Sequence, residues 1–375
     1  MSLIYYLIFS SLLFFSFFEF SSNSRGNIFL YYSIVAVMIL TAGLSYAISP
    51  DWLAYFKTFQ LLYSVDWSEL GHFSDMGGME EGFLALNKLL GELGFDFGMV
   101  TLLLTTVGLI LKSSTFYKFG GLPFLVLFIY AMPNFMFEEH VHIRQGFANS
   151  IAIFSVRYII DRNLLKFLLC MVIGYQMHES IVVFFLAYWI ATFKFNELTI
   201  GWLVALAIVG NYTGLNSIIE WVMQFMPIGK DKFEDYQSQL YTESGVVVGD
   251  IVKILSVFTV LIYDKYANHD KLYCMFRNIF LFGVLLYFFL GKGIFGIRLP
   301  GYYLVFLGLT LGRMLYKFND DEKENFFKRK FIYFSFVSYT ILLIFWFQYK
   351  QGFRSGFGNY QTFFTEGAAY GLWKN

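Results

Sequence analysis

The sequence predicts an all-α protein: a polytopic bundle of transmembrane helices forming a single membrane domain over residues 1–375. Three observations predict it. Hydrophobic residues make up 57% of the chain. Charged residues make up 14%, against about a quarter in soluble domains. The apolar residues also come in long runs, and runs of about 18 or more read as membrane-spanning helices. No long polar block is left to form a separate soluble domain.

The runs give about twelve spans, at 2–20, 27–48, 97–113, 122–138, 143–161, 163–177, 179–194, 197–212, 250–264, 274–291, 298–316 and 331–348. The shortest of them must be tilted, broken or held inside the bundle. The first run lacks a basic leader and a small-residue cleavage pattern, so it is read as a retained helix and not as a signal peptide.

Orientation follows from the positive-inside rule. One set of alternate loops holds Arg25, Lys112, Lys118, Arg157, Arg162, Lys166 and Lys194, then Lys265, Lys271, Arg277 and the group from Lys317 to Lys330. This set is placed in the cytoplasm. The opposite set holds most of the acids, among them Asp51, Glu80, Glu81, Glu138, Glu139, Asp231 and Glu243. Both termini then lie outside. The outer polar segments are loops at about 49–96 and 213–249 and a tail at 349–375. Within the first, Phe83, Leu84, Leu86, Leu90 and Leu93 recur at helical spacing, which predicts an amphipathic helix over Glu80–Phe95 lying on the outer leaflet.

Composition also excludes functions. The formal net charge is zero, which gives no case for nucleic-acid binding. Cys170 and Cys274 imply no disulfide framework and have no metal-ligand spacing. There is no P-loop, Cys/His cluster, GxSxG or Rossmann fingerprint, so nothing supports ATP use, a cofactor or a metal.

Charges beside spans are costly in hydrocarbon and mark candidate sites. Five places stand out, all on the predicted outer side. Asp51 and Tyr55 follow the second span, four residues apart on one helical face. They face a polar cavity, or Pro50-Asp51 caps a helix. Glu80 and Glu81 open the amphipathic stretch, as acids meeting a helix dipole or as sugar-binding or catalytic carboxylates. The run Glu138-Glu139-His140-Val141-His142-Ile143-Arg144-Gln145 concentrates ionisable groups between two spans. Arg144 opens a helix, the wrong end for a cation, so either Glu139 or an anionic ligand favours it there or it snorkels to the interface. His178 sits where the chain reverses between short spans, as a structural residue, a general base, a proton donor or an orienting group. Lys292 and Arg298 flank a glycine-punctuated turn, either as membrane-anchoring cations or as phosphate ligands.

In this order, Asp51 with Tyr55, Glu81-Gly82-Phe83, Arg144-Gln145 with Ala148 and Ser150, His178 with Ser180, and Arg298 with Tyr302-Tyr303 resemble the EpsG-like branch of the Wzy polysaccharide polymerases. The resemblance covers about residues 30 to 310. It implies a fold similar to the metal-independent GT-C-type membrane glycosyltransferases. It also implies transfer of a glycan from undecaprenyl diphosphate to the sugar end of another lipid-linked repeat unit. The expected products are O-antigen, capsule or exopolysaccharide, and the expected place is the bacterial cytoplasmic membrane, with the site on its outer side. The partners expected are the lipid-linked oligosaccharide, membrane lipids and a chain-length regulator protein. Arg144 and Arg298 would stabilise the departing diphosphate. Glu139, Glu81, Asp51 and His178 are candidate bases in no fixed order, and Tyr55, Glu80, His142, Gln145 and Tyr302 would bind or orient the glycan.

Three other readings compete, one of them a non-catalytic membrane scaffold, which would leave the clustered outer charges unexplained. An O-antigen ligase uses the same donor, but a single large outer loop would favour it, and here the outer sequence is divided. A flippase or other transporter needs ionisable residues through mid-membrane, and few lie at the predicted span centres.

Overall fold

The computed structural model describes residues 1–194, 197–213, 248–290, 294–318, 323–350 and 356–365. Regular structure among these residues is helical, apart from an isolated β-bridge between Ser45 and Thr362. The chain runs through α1 (Leu3–Ser22), α2 (Ile28–Gly43), α3 (Pro50–Leu61), α4 (Leu70–Gly77) and α5 (Glu81–Glu92). It continues through α6 (Phe97–Phe119), α7 (Pro123–Tyr130), α8 (Ile143–Ile160), α9 (Leu164–Tyr175) and α10 (Glu197–Thr213). Last come α11 (Val248–Tyr263), α12 (Lys271–Leu290), α13 (Ile294–Leu304), α14 (Phe306–Lys317) and α15 (Lys323–Lys350). The predicted outer loop at 213–249 lies outside the described residues over 214–247, as do Lys292 and tail residues 351–355 and 366–375.

Among the described residues, four helices are long and apolar enough to cross a membrane: Leu3–Ser22, Phe97–Phe119, Lys271–Leu290 and Glu324–Lys350. Shorter apolar helices occupy several other predicted spans, such as Ile28–Gly43 and Leu164–Tyr175. Large apolar side chains face outward, including Leu7, Phe14 and Phe18 on α1 and Leu103, Val107 and Ile110 on α6. An apolar exterior of that extent suits hydrocarbon and not water.

Helix starts follow local chemistry. Asn27 accepts from the Phe29 and Leu30 N–H groups, Ser49 from Trp52, Asp96 from Met99 and Asn163 from Lys166. Each satisfies backbone donors that a helix leaves unpaired at its first turn. Ser49 therefore caps α3, while Asp51 sits in the first turn behind Pro50.

The chain divides into two compact units, Met1–Val182 with Asp320–Asn375, and Val183–Asn319. In the first, α6 and α8 pack side by side in the same direction. Gly108 of α6 lies against Ser150 of α8, and Arg157 further along α8 donates to Ser114 and Thr115 of α6, each at 3.2 Å. A Cβ at Gly108 would sit 2.9 Å from Ser150 Oγ, so the missing side chain sets the approach. The predicted span 122–138 is interrupted. α7 stops at Tyr130, Met132 leaves helical dihedrals (φ −138°, ψ 118°), and Pro133 supplies no N–H. Glu19 of α1 is buried and caps α7, accepting from the Phe124 and Leu125 N–H groups at 2.9 and 3.2 Å. The predicted outer loop 49–96 is mostly helical. Its amphipathic helix is α5, with Phe83 and Leu84 buried and Leu89 exposed.

In the second unit, α10, α11, α13 and α14 pack on α12. Gly283 lets α13 approach, since a Cβ there would meet Tyr303 Cβ at 2.5 Å. Arg277 binds Asp264 at 2.7 Å, and Arg313 grips Asp270 through two bonds of 2.9 and 2.7 Å. Both arginine–carboxylate pairs lie at helix ends that the sequence places in the cytoplasm.

Candidate active site

The site of the first unit is built where α5 begins and α9 ends. Gly82 allows these to touch: a Cβ there would sit 2.5 Å from Gln176 Cβ and 2.7 Å from Gln176 O. The Phe83 N–H then donates to Gln176 O at 3.0 Å. This contact sets Glu80 against the turn that carries His178. Glu80 Oε1 accepts from the Glu179 N–H at 3.1 Å and lies 3.5 Å from His178 Nδ1. That nitrogen also accepts from the Ser180 N–H at 3.3 Å.

Arg144, the second residue of α8, completes the group. Its Nη1 donates to Glu80 Oε2. Its guanidinium lies 5.4 Å from the centre of the Tyr55 ring and 5.8 Å from that of Phe83. Aromatic faces favour a cation at that range. The Arg144, Glu80 and His178 side chains are 15%, 13% and 14% exposed. Arg144 Nε is buried and has no hydrogen-bond partner among the described residues. An unsatisfied buried donor on a cation costs free energy that an arriving oxygen would recover.

Of the residues expected from the sequence, Tyr55, Glu80, Arg144 and His178 thus meet. Asp51 and His142 form a separate, more open pair, with Oδ2 and Nδ1 3.2 Å apart. Glu81 is exposed in the first turn of α5, and Gln145 is half-buried beside Arg144. Arg298 and Tyr302 belong to α13 of the second unit. Tyr302 is buried there, and Arg298 is half-buried ahead of Pro300.

Glu139 has a different partner from the one expected. Its Oε1 binds Lys112 Nζ at 2.6 Å and the Tyr130 hydroxyl at 2.7 Å. Glu138 Oε2 takes the same lysine at 2.7 Å, while its Oε1 accepts from Asn134 at 3.1 Å and Asn149 at 2.8 Å. Lys112 is therefore not a cytoplasmic loop cation. It is a fully buried residue inside α6, neutralised by acids that the sequence places on the opposite side. Nearby, His140 is buried against Tyr5, whose hydroxyl lies 3.1 Å from its Nε2. Burial pushes its pKa down to about 4, so it is a neutral packing residue.

Among the described residues, no group of three or more His, Cys, Asp or Glu side chains is placed to hold a metal ion. The EpsG family model matches residues 28–362. The chain belongs to the EpsG family. Neither the curated proteins nor the solved structures give a match to it. The EpsG match takes in every candidate residue from Asp51 to Tyr302. It also gives the apolar helices a setting, since the family is associated with membrane-bound, glycosyltransferase-like polysaccharide polymerisation.

Within this EpsG chain, the arrangement offers a caged guanidinium whose buried Nε–H is unpaired among the described residues, a carboxylate already on it, and a histidine at that carboxylate's edge. Sequence reasoning found three of these side chains but not their pairing. Glu80 and Arg144 are 64 residues apart, and tertiary packing of α5 brings them together.

Proposed function

We propose that this protein is a bacterial polysaccharide polymerase that transfers a glycan from undecaprenyl diphosphate to the sugar end of another lipid-linked repeat unit. The reading places the site at the outer face of the cytoplasmic membrane, in a bundle of about twelve spans similar to GT-C-type glycosyltransferases. Family membership supports the class of reaction. One observation carries the chemistry: Arg144 is enclosed by two aromatic rings, and its buried Nε–H awaits an acceptor.

The donor is a glycosyl diphosphate, so it is already activated and no nucleotide is needed. An acceptor hydroxyl attacks the anomeric carbon with inversion, and the bond to the diphosphate oxygen breaks. Negative charge grows on the leaving group, and arginine donors aimed at it lower the barrier. Arg144 takes this role. Inversion in one step needs a single proton acceptor and no covalent intermediate. The isoprenoid tail stays among the lipids while the diphosphate reaches the aromatic cage.

The test uses purified protein, a lipid-linked repeat unit, no nucleotide and a chelator. Longer oligomers on a gel are the expected result. An unchanged substrate under these conditions, with folded protein, removes the polymerase reading. A ligase would instead join the glycan only to an added lipid A-core acceptor.

A further inference from the structure

We infer that Glu80 is a placeholder for the diphosphate and, once displaced, the group that takes the acceptor's proton. The inference rests on the reading of Arg144 as the diphosphate ligand and adds a role for the carboxylate now bound to it.

Glu80 stands where an anion is wanted. Arg144 Nη1 and the Glu179 N–H hold its two oxygens, the second at 3.1 Å. A nearly buried guanidinium without a counter-charge is costly, so an internal carboxylate stabilises it. A diphosphate presents more charge and more oxygens, and it also satisfies Nε, which Glu80 leaves unpaired. The incoming ligand therefore competes with Glu80 for the same cation and offers more hydrogen bonds.

Displacement changes what Glu80 does. Freed from Arg144, its carboxylate has an oxygen open to the acceptor hydroxyl. The step balances: the acceptor oxygen forms a bond to the anomeric carbon, and that carbon's bond to the phosphate oxygen breaks with its electron pair. The hydroxyl proton passes to Glu80. Among the other candidate bases, Glu81 faces solvent from the first turn of α5, and three are committed to other groups. Glu139 is held by Lys112 and Tyr130, Asp51 lies against His142, and His178 Nδ1 accepts from the Ser180 N–H. Donor binding would thus switch on the base at Arg144.

Two measurements on the full chain in detergent test this: affinity for farnesyl diphosphate, and polymer formed from a lipid-linked repeat unit. Glu80→Gln is expected to bind farnesyl diphosphate about tenfold tighter, yet to form polymer about a hundredfold more slowly or worse. A merely structural glutamate would weaken both. Weaker or unchanged binding in Glu80→Gln, or unchanged turnover, overturns the inference. If that variant fails to fold, Glu80→Asp serves, since it keeps the charge but shortens the reach. It should also bind more tightly than the wild type, and unchanged binding counts against the placeholder. Arg144→Ala separates the two levels. If it binds farnesyl diphosphate as the wild type does, the diphosphate reading itself is wrong. If it loses binding while Glu80→Gln gains none, only the role of Glu80 falls.

Discussion

Arg144 and Lys112 are both buried or nearly buried cations that meet glutamates in the same unit, and their surroundings differ in completeness. Lys112 uses its ammonium on Glu138, Glu139 and the Tyr130 hydroxyl, all within 2.8 Å. The loose end of that network is a neutral amide oxygen, Asn149 Oδ1. Arg144 spends Nη1 on Glu80 and keeps a charged donor, Nε, without an acceptor. A closed network of charges fixes a fold, because removing any member strands the others. An open one holds binding capacity in reserve. The two clusters look alike in the sequence, where both draw on the run from Glu138 to Arg144, yet they should respond to substitution in opposite ways.

The largest expected effect is on activity at the open cluster. Arg144→Ala should lower polymer formation at least about a hundredfold, as losing a donor to a developing oxyanion does. Its melting temperature should fall less than that of Lys112→Met. The second variant leaves the buried Glu139 and the partly buried Glu138 carboxylates without their cation and should cost about 3–5 kcal/mol of stability. Thermal unfolding of both in the same detergent, beside a gel of the polymer, checks the ranking. A Lys112→Met protein as stable as the wild type would erase the contrast between the clusters.

That contrast shows which parts of the molecule were legible in the sequence. The helical class, the apolar runs and α5 are written in composition and periodicity, which act over a few residues. Predicted helix 80–95 and observed α5 differ only at the ends. Tyr55, Glu80, Arg144 and His178 stood out because charge and hydroxyl beside apolar runs are costly. Pairing was not legible. Lys112 read as a loop cation because it ends an apolar run, and its acids lie 26 and 27 residues on. They return to it because the intervening helix breaks at Met132-Pro133, a kink whose geometry no local pattern specifies. In the same way Glu139 was nearest to Arg144 in sequence, but Glu80 from α5 meets it, with Phe83 of the same helix against the guanidinium.

His140 sharpens the picture of the closed region. It is neutral when folded, with a pKa of about 4, against about 6.5 in an unfolded chain. As pH falls from about 6.5 to 4, the unfolded state gains a proton that the folded state refuses, so stability is lost across that window and is fully present above it. The melting temperature of the wild type should drop over this range, and that of His140→Asn should drop less. Equal slopes would mean that His140 is hydrated or already charged in the fold.

Gly146 joins the two clusters and should give a smaller effect on both. A Cβ there would sit 2.2 Å from the Glu138 carbonyl oxygen, which is backbone and cannot swing aside. Gly146→Ala should therefore push the Glu138–His142 turn off α8 at a cost of about 1–3 kcal/mol. Because Arg144 lies two residues earlier on that helix, polymer formation should fall together with stability. A loss of stability with full activity would show that the open site tolerates movement of the turn, and so that the clusters are mechanically independent.

The smallest effect is expected at Asp51–His142, the pair that borders the open cluster without joining it. Its side chains are 41% and 34% exposed, and exposed ion pairs contribute only about 0.2–1 kcal/mol. His142→Ala should thus leave the melting temperature almost unchanged, which frees the activity measurement from any folding effect. If Glu80 is the proton acceptor, His142→Ala should alter polymer formation by no more than the modest factor that a glycan contact supplies. A loss as deep as that of Glu80→Gln would move the base from Glu80 to the Asp51–His142 pair, and the placeholder role of Glu80 would then have to stand on its binding signature alone.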